Sequence, residues 1–133
     1  MRFMMDTNVC IDLIRRRSAG VLRHLQSLSP GDVCISAISL SELEYGVARS
    51  AAPDRNRLAL AEFMTPLVVL PYDDLVAPVY GRVRQHLEAK GVAIGALDTL
   101  IAAHALSANL TLVTNNEREF RRVPDLHVVN WAA

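Results

Sequence analysis

Five short strand-like runs punctuate this chain: Phe3-Met4-Met5, Val33-Cys34-Ile35, Leu67-Val68-Val69-Leu70, Leu110-Thr111-Leu112-Val113 and His127-Val128-Val129. Each is too short for a helix and reads as a strand, Val33-Cys34-Ile35 as one fully buried. Between the runs, apolar residues recur at helical spacing. They are Val9, Leu13 and Ile14; then Val21, Leu22, Leu25 and Leu28; then Ile38, Leu40, Leu43 and Val47; and later Leu75, Val76, Val79, Val83 and Leu87, read as facing inward. Strand alternating with helix predicts an α/β fold with three α/β/α layers, its sheet mostly parallel and its crossovers right-handed. The punctuation agrees. Ser29-Pro30-Gly31-Asp32 is a turn signal, Asp54 a candidate cap, Asp73 or Asp74 another, and Lys90-Gly91 a helix end with Gly at the left-handed position. Asp98 is read as opening an apolar helix from Thr99 to Ala108, and Asn115 to Arg121 as a short helix.

With 133 residues and no linker, repeat or low-complexity stretch, residues 1–133 are expected to form one domain. No apolar run is long enough to span a membrane. The first strand begins at once, which leaves no room for a signal peptide, and Cys10 and Cys34 lack any metal or redox spacing. A cytoplasmic chain with buried thiols is the expectation. The formal net charge is zero, a mild argument against non-specific nucleic-acid binding. A nuclease is compatible with it, because an acidic metal site offsets local arginines.

The carboxyl ends of strands are where parallel α/β sheets hold their ligands. Acids or amides cluster at such places: Asp6 after the first run, Glu42 in the third helix, Asp98 at a helix start, and Asn115-Asn116-Glu117-Arg118-Glu119 after the fourth run. Singly, each has a structural account. Asp6 and Asp98 can cap helices, Ser39-Leu40-Ser41-Glu42 can form a capping box, and Asn116 can cap with Glu119 three residues on. Jointly, several carboxylates on one sheet edge repel unless a cation sits among them. Oxygen donors of this kind select Mg²⁺ or Mn²⁺, which can activate a water for in-line attack on phosphorus.

Four stretches, in order, strongly resemble the PIN-domain ribonucleases, most of all the VapC toxins of bacterial type II toxin–antitoxin systems. They are Met5-Asp6-Thr7-Asn8, Ile35-Ser36-Ala37-Ile38-Ser39-Leu40-Ser41-Glu42-Leu43-Glu44-Tyr45-Gly46, Ile94-Gly95-Ala96-Leu97-Asp98-Thr99-Leu100-Ile101-Ala102-Ala103-His104-Ala105 and Leu112-Val113-Thr114-Asn115-Asn116-Glu117-Arg118-Glu119-Phe120. The resemblance extends to Asn130-Trp131. It implies a metal-dependent endoribonuclease toxin with Asp6, Glu42 and Asp98 holding Mg²⁺ or Mn²⁺, Asn116 and Glu119 completing the catalytic set, and Thr7 and Thr114 in support. It also implies a homodimer, an RNA substrate and a cognate VapB-type antitoxin through which operator DNA would be met. Many members carry Asp where this chain has Asn116.

Three rivals stay open at this point. One is a housekeeping PIN nuclease without an antitoxin, and another a PIN module that binds RNA or protein without cutting. The third is a phosphotransfer enzyme with Asp6 as nucleophile, whose usual second Asp is Asn8 here. Arg15, Arg16, Arg17, Arg118, Arg121 and Arg122 could meet RNA phosphates, or simply be solvated. Tyr45 and Phe120 could stack a base, though core packing accounts better for both. His104 lies six residues from Asp98, roughly 600° around a helix and so about 120° off its direction. It reads as a packing residue. Glu44 points away from Glu42, and Asp12 reads as solvated.

Overall fold

A computed structural model describes residues 1–29 and 31–132. Pro30 lies outside the described residues, so the turn expected there is seen only at its flanks, where the Asp32 N–H donates to the Ser29 carbonyl at 3.1 Å. Among the described residues, β1 (Phe3–Met5), β2 (Val33–Ser36), β3 (Val68–Leu70), β4 (Thr111–Val113) and β5 (Val128–Val129) form one sheet. Its order is β3-β2-β1-β4-β5 and every pairing is parallel. The helices are α1 (Thr7–Ile14), α2 (Ala19–Gln26), α3 (Ala37–Ala48), α4 (Pro53–Met64), α5 (Ala77–Ala89), α6 (Ala96–Ser107) and α7 (Glu117–Phe120).

Alternation along each strand divides the core into two. Met4, Cys34 and Leu112 face Val83 and Leu87 of α5, Ile101, Ala102 and Ala105 of α6, and Phe120 of α7. Met5, Ile35 and Val113 face the opposite way, against Val9 and Cys10 of α1, Val21 of α2, Leu43 and Val47 of α3 and Leu60 of α4. The three layers expected from the sequence are present. A side-chain period of two sends neighbouring strand residues to opposite faces, so a continuous apolar run serves both.

The chain winds outward from β1 through β2 to β3, then returns to lay β4 and β5 on the other side. The order therefore reverses between β1 and β4, the kind of switch point at whose carboxyl ends parallel α/β sheets hold ligands. Register pairs Met5 with both Ile35 and Val113, so Asp6, Ser36 and Thr114 follow side by side.

Helix starts differ from expectation in instructive places. Pro53 opens α4 and Asp54 lies in its first turn rather than capping it. α5 begins only at Ala77, after a turn in which Asp73 Oδ1 accepts the Leu75 N–H at 3.0 Å. Leu75 therefore sits outside the helix and is exposed, not inward, and Leu22 is likewise turned to solvent. Gly91 has the left-handed φ of +67° expected after α5.

Trp131 closes the second core from the carboxyl-terminal side, edge-on to Phe3 at 5.0 Å and stacked on His24 at 5.4 Å. Its backbone passes so close to α2 that a Cβ at Gly20 would lie 2.7 Å from the Trp131 carbonyl oxygen. Alanine normally gains about 1 kcal/mol over glycine inside a helix. Overpacking against backbone costs about 1–3 kcal/mol. Gly20→Ala is therefore expected to destabilise the chain on balance, and a urea midpoint at or above that of the unaltered chain would contradict this packing.

Candidate active site

Asp6 ends β1 and caps α1, and its two oxygens divide the work. Oδ1 accepts the Val9 N–H at 2.9 Å, while Oδ2 accepts the Thr114 hydroxyl at 2.5 Å across the switch point. Thr114 is itself held by the Asn116 N–H, which donates to its Oγ1 at 2.9 Å. Capping and a place in a site are thus compatible roles for one carboxylate. Asp6 is 3% exposed. Burial pushes its carboxyl up to about 6; the charges of Asp98 and Asp12 push the same way, and the Thr114 and Val9 hydrogen bonds partly offset them.

Glu42 does not form the expected capping box. Ser36, accepting the Ile38 N–H at 3.0 Å, starts α3 at Ala37, which leaves Ser39 already inside the helix. Glu42 instead takes the Thr7 hydroxyl on Oε1 at 2.6 Å. The Thr7 and Ser39 hydroxyls are 3.1 Å apart. Since Thr7 has one proton and it points at the carboxylate, Ser39 donates to Thr7. Asp98 does not cap α6 either: Gly95 is the cap, and Asp98 lies in the first turn. Burial raises its carboxyl above the ordinary range, with Glu119 and then Glu42 adding like charge. Asn116 makes no side-chain cap; its Nδ2 donates to Glu119 Oε2 at 2.9 Å.

Asp6, Glu42, Asp98 and Glu119 are therefore linked through space, with Asp98 felt by or feeling each of the others. No arginine or lysine offsets them. The ion pairs found among the described residues, Arg57–Glu44, Arg84–Glu88 and Arg121–Glu117, lie elsewhere. Among those residues, no three histidine, cysteine, aspartate or glutamate side chains converge on one ion position. Glu42 and Glu119 are each turned to a neighbouring hydroxyl or amide. By donor chemistry the set still fits a hard divalent cation: it is all oxygen, free of thiol and imidazole, and strained by like charge that a cation would relieve.

Asp12 departs from its solvated reading. It is half-buried, accepts the Asn115 Nδ2 at 2.9 Å, and adds to the charge felt by Asp6. Tyr45 departs too: it is 67% exposed, with the Arg49 guanidinium 5.4 Å above its ring. Phe120 is core, as expected. Glu44 leaves the site to pair with Arg57. Arg15 lines an open groove of about 750 Å³ between α1, α3 and α4, which runs past Ile11, Val47 and Leu60 to Thr7 and Glu42. Arg16 and Arg118 are exposed. The groove and the Asp12–Asn115 bond left no trace in spacing, because their partners are far apart in the chain.

Comparison with known proteins follows this geometry closely. The family model described as "PIN domain" matches residues 3–126. The tRNA(fMet)-specific endonuclease VapC of Shigella flexneri is 41% identical over 132 residues, covering 99% of each chain. In the crystal structure of VapBC2 from Rickettsia felis bound to a DNA fragment from their promoter, a chain 39% identical superposes with a TM-score of 0.93, covering 98% of this chain and 99% of that one. DNA-bound VapBC from Salmonella typhimurium contributes another, 41% identical, with a TM-score of 0.93 and 98% of both chains covered.

Proposed function

The chain belongs to the PIN-domain family, and we propose that it is the ribonuclease toxin of a VapBC-type pair, with Asp6, Glu42, Asp98, Asn116 and Glu119 as its catalytic set. The observation that carries this reading is the group of coupled carboxylates at the switch point, unpaired with any arginine or lysine. Asp6, Asp98 and Glu42 would hold Mg²⁺ or Mn²⁺, and Asn116 and Glu119 would complete the site. An ion held by these residues would supply a water of lowered pKa and positive charge facing the scissile phosphate. Thr114 and the Val9 amide hold Asp6 in one orientation at the end of β1, one on each oxygen. Thr7 does the same for Glu42. Asp98 stands on the first turn of α6, where the positive end of the helix dipole favours its ionised form. No side-chain nucleophile is required: Cys10 and Cys34 are buried, with thiols pushed up by burial.

The likeness to endonucleases and to toxin–antitoxin complexes supports an RNA substrate and a cognate antitoxin, with promoter DNA met through that partner. A homodimer accompanies this reading. Unpaired carboxylates without RNA invite a cation, so an antitoxin Arg or Lys is expected to reach Asp6, Glu42 or Asp98. No helix among the described residues is long and apolar enough to cross a membrane.

The test uses purified chain with and without the antitoxin encoded beside it. RNA cleavage should appear with Mg²⁺ or Mn²⁺, vanish with chelator, and vanish again when antitoxin is added. Cleavage that persists in chelator would overturn the metal reading, and full activity within the antitoxin complex would overturn the inhibitory one. Chains lacking an adjacent antitoxin gene would instead support the housekeeping nuclease.

A further inference from the structure

Behind the acids lies a buried polar pair that the reaction scheme leaves unused. His104, on α6, is 3% exposed, and its Nδ1 is 2.8 Å from Ser36 Oγ at the end of β2. Its ring meets Tyr72 edge-on at 5.4 Å, and the backbone of Pro71, just after β3, acts on it from the same side. Ser36 is fully buried and already accepts the Ile38 N–H.

Proton accounting fixes the arrangement. Were Nδ1 protonated, the Ser36 hydroxyl would receive two donors while its own proton lacked an acceptor in a buried place. Ser36 therefore donates to Nδ1, and the imidazole proton sits on Nε2, towards Pro71. Burial lowers the pKa of His104, which keeps the ring neutral, while Asp73 is the one charge that pulls the other way. One neutral imidazole thus ties α6 to the end of β2.

What this tie controls follows from what the two sides carry. α6 presents Asp98; Ser36 caps α3, which presents Glu42. The buried face of α6 is smooth, with Ala102, Ala103 and Ala105, and apolar packing has little directionality. A hydrogen bond weakens steeply with angle and distance, so it sets register where alanines cannot. Among the described residues it is the one hydrogen bond joining α6 to β2 and α3.

We propose that His104 is a positioning residue: its bond to Ser36 sets the spacing of Asp98 from Glu42, and through it the affinity of the site for its divalent ion. The proposal rests on reading those acids as ion ligands.

The experiment compares His104→Phe, which keeps an aromatic ring against Tyr72 but loses the hydrogen bond to Ser36, with His104→Asn, whose amide oxygen can still accept from Ser36. Leu87→Ala, in the same core and away from Ser36, controls for lost stability. Calorimetry with Mn²⁺ on the RNA-free chain, kcat and KM for RNA cleavage, and thermal melts are read together. His104→Phe should weaken Mn²⁺ binding and lower kcat, each about 10-fold, with KM nearly unchanged, in the range seen when a partner of a metal ligand is lost. His104→Asn should recover most of both, and Leu87→Ala should melt early yet bind Mn²⁺ as the unaltered chain does. If His104→Phe does not fold, Ser36→Ala carries the same expectation. Mn²⁺ affinity and kcat in His104→Phe equal to those of Leu87→Ala would overturn the proposal. If the unaltered chain bound no Mn²⁺, the reading of the acids would fall; the Asp98–Glu42 separation in a crystal structure of the variant would still decide the tie, and an unchanged separation would overturn it.

Discussion

Asp6→Asn is expected to abolish cleavage and, in chelator, to gain melting temperature relative to the unaltered chain as pH rises from 4 to 8. The two effects share one cause. Losing only a hydrogen-bonding partner of a metal ligand costs about 10–100-fold, so losing the ligand's own charge should cost at least about 10³-fold. Stability moves the other way because Asp6 is buried, with a carboxyl pushed up to about 6 from an ordinary 3.8. A folded-state pKa above the unfolded one means the native chain binds the extra proton. Stability is then full below about pH 4 and is lost as pH rises through 6. At 1.36 kcal/mol per pH unit, that loss amounts to about 3 kcal/mol. Asn carries no charge to bury and its oxygen can still accept the Val9 N–H, but its amide would face Thr114 Oγ1, which already accepts the Asn116 N–H, so the buried Thr114 proton loses its acceptor at a cost of about 1–3 kcal/mol. That cost applies at both pH values, so the melting temperature of the variant relative to the unaltered chain should rise by about 10 °C from pH 4 to pH 8 for a chain of this size. A relative melting temperature that stays constant from pH 4 to pH 8 would show that burial does not strain Asp6, and wild-type cleavage would remove it from the site.

The alternation of short runs and helical spacing carried the layers, the parallel sheet and the place of Asp6, because each depends only on local period and on strand ends. What the sequence concealed depends on partners far apart. Glu42 satisfied a local capping pattern with Ser39, yet its partner is Thr7, 35 residues away. Spacing leaves Ser36 and Ser39 both open as the cap of α3, since both serines are good caps, and the structure uses Ser36. His104 was legible as a packing residue but not as the partner of Ser36, 68 residues distant. Leu75 and Tyr45 read as core from spacing yet stand exposed, because apolar period says which side is apolar, not where a helix begins or which flank stays uncovered. Asp98 was placed correctly at the start of a helix, but as a cap; the structure moves it into the first turn, where its carboxyl is free of capping.

The same reasoning gives Asn116 a measurable consequence. Its Nδ2 donates to Glu119 Oε2 at 2.9 Å, so a neutral amide stands beside that carboxylate. Asn116→Asp would set two carboxylates against each other at that contact. Without a cation, one must take a proton or turn away. Asp98, which already feels Glu119, would be strained further. A divalent ion relieves all three, so Mn²⁺ binding to the RNA-free variant should tighten by about 10-fold, as one added charge of about 1.4 kcal/mol implies. Magnesium-like ions bind through few protein ligands and keep their waters. One tight ion at Asp6 and Asp98 is therefore expected in the unaltered chain, with any second ion arriving alongside the RNA phosphate. Glu119→Gln should accordingly cost less activity than Asp6→Asn or Asp98→Asn, since phosphate charge can stand in for Glu119 but not for the acids that hold the first ion. Calorimetric titration with Mn²⁺ and cleavage rates across these variants measure both. Two equally tight ions in the RNA-free unaltered chain would mean that the Asn116 oxygen serves as well as a carboxylate, and that its hydrogen bond to Glu119 gives way on binding.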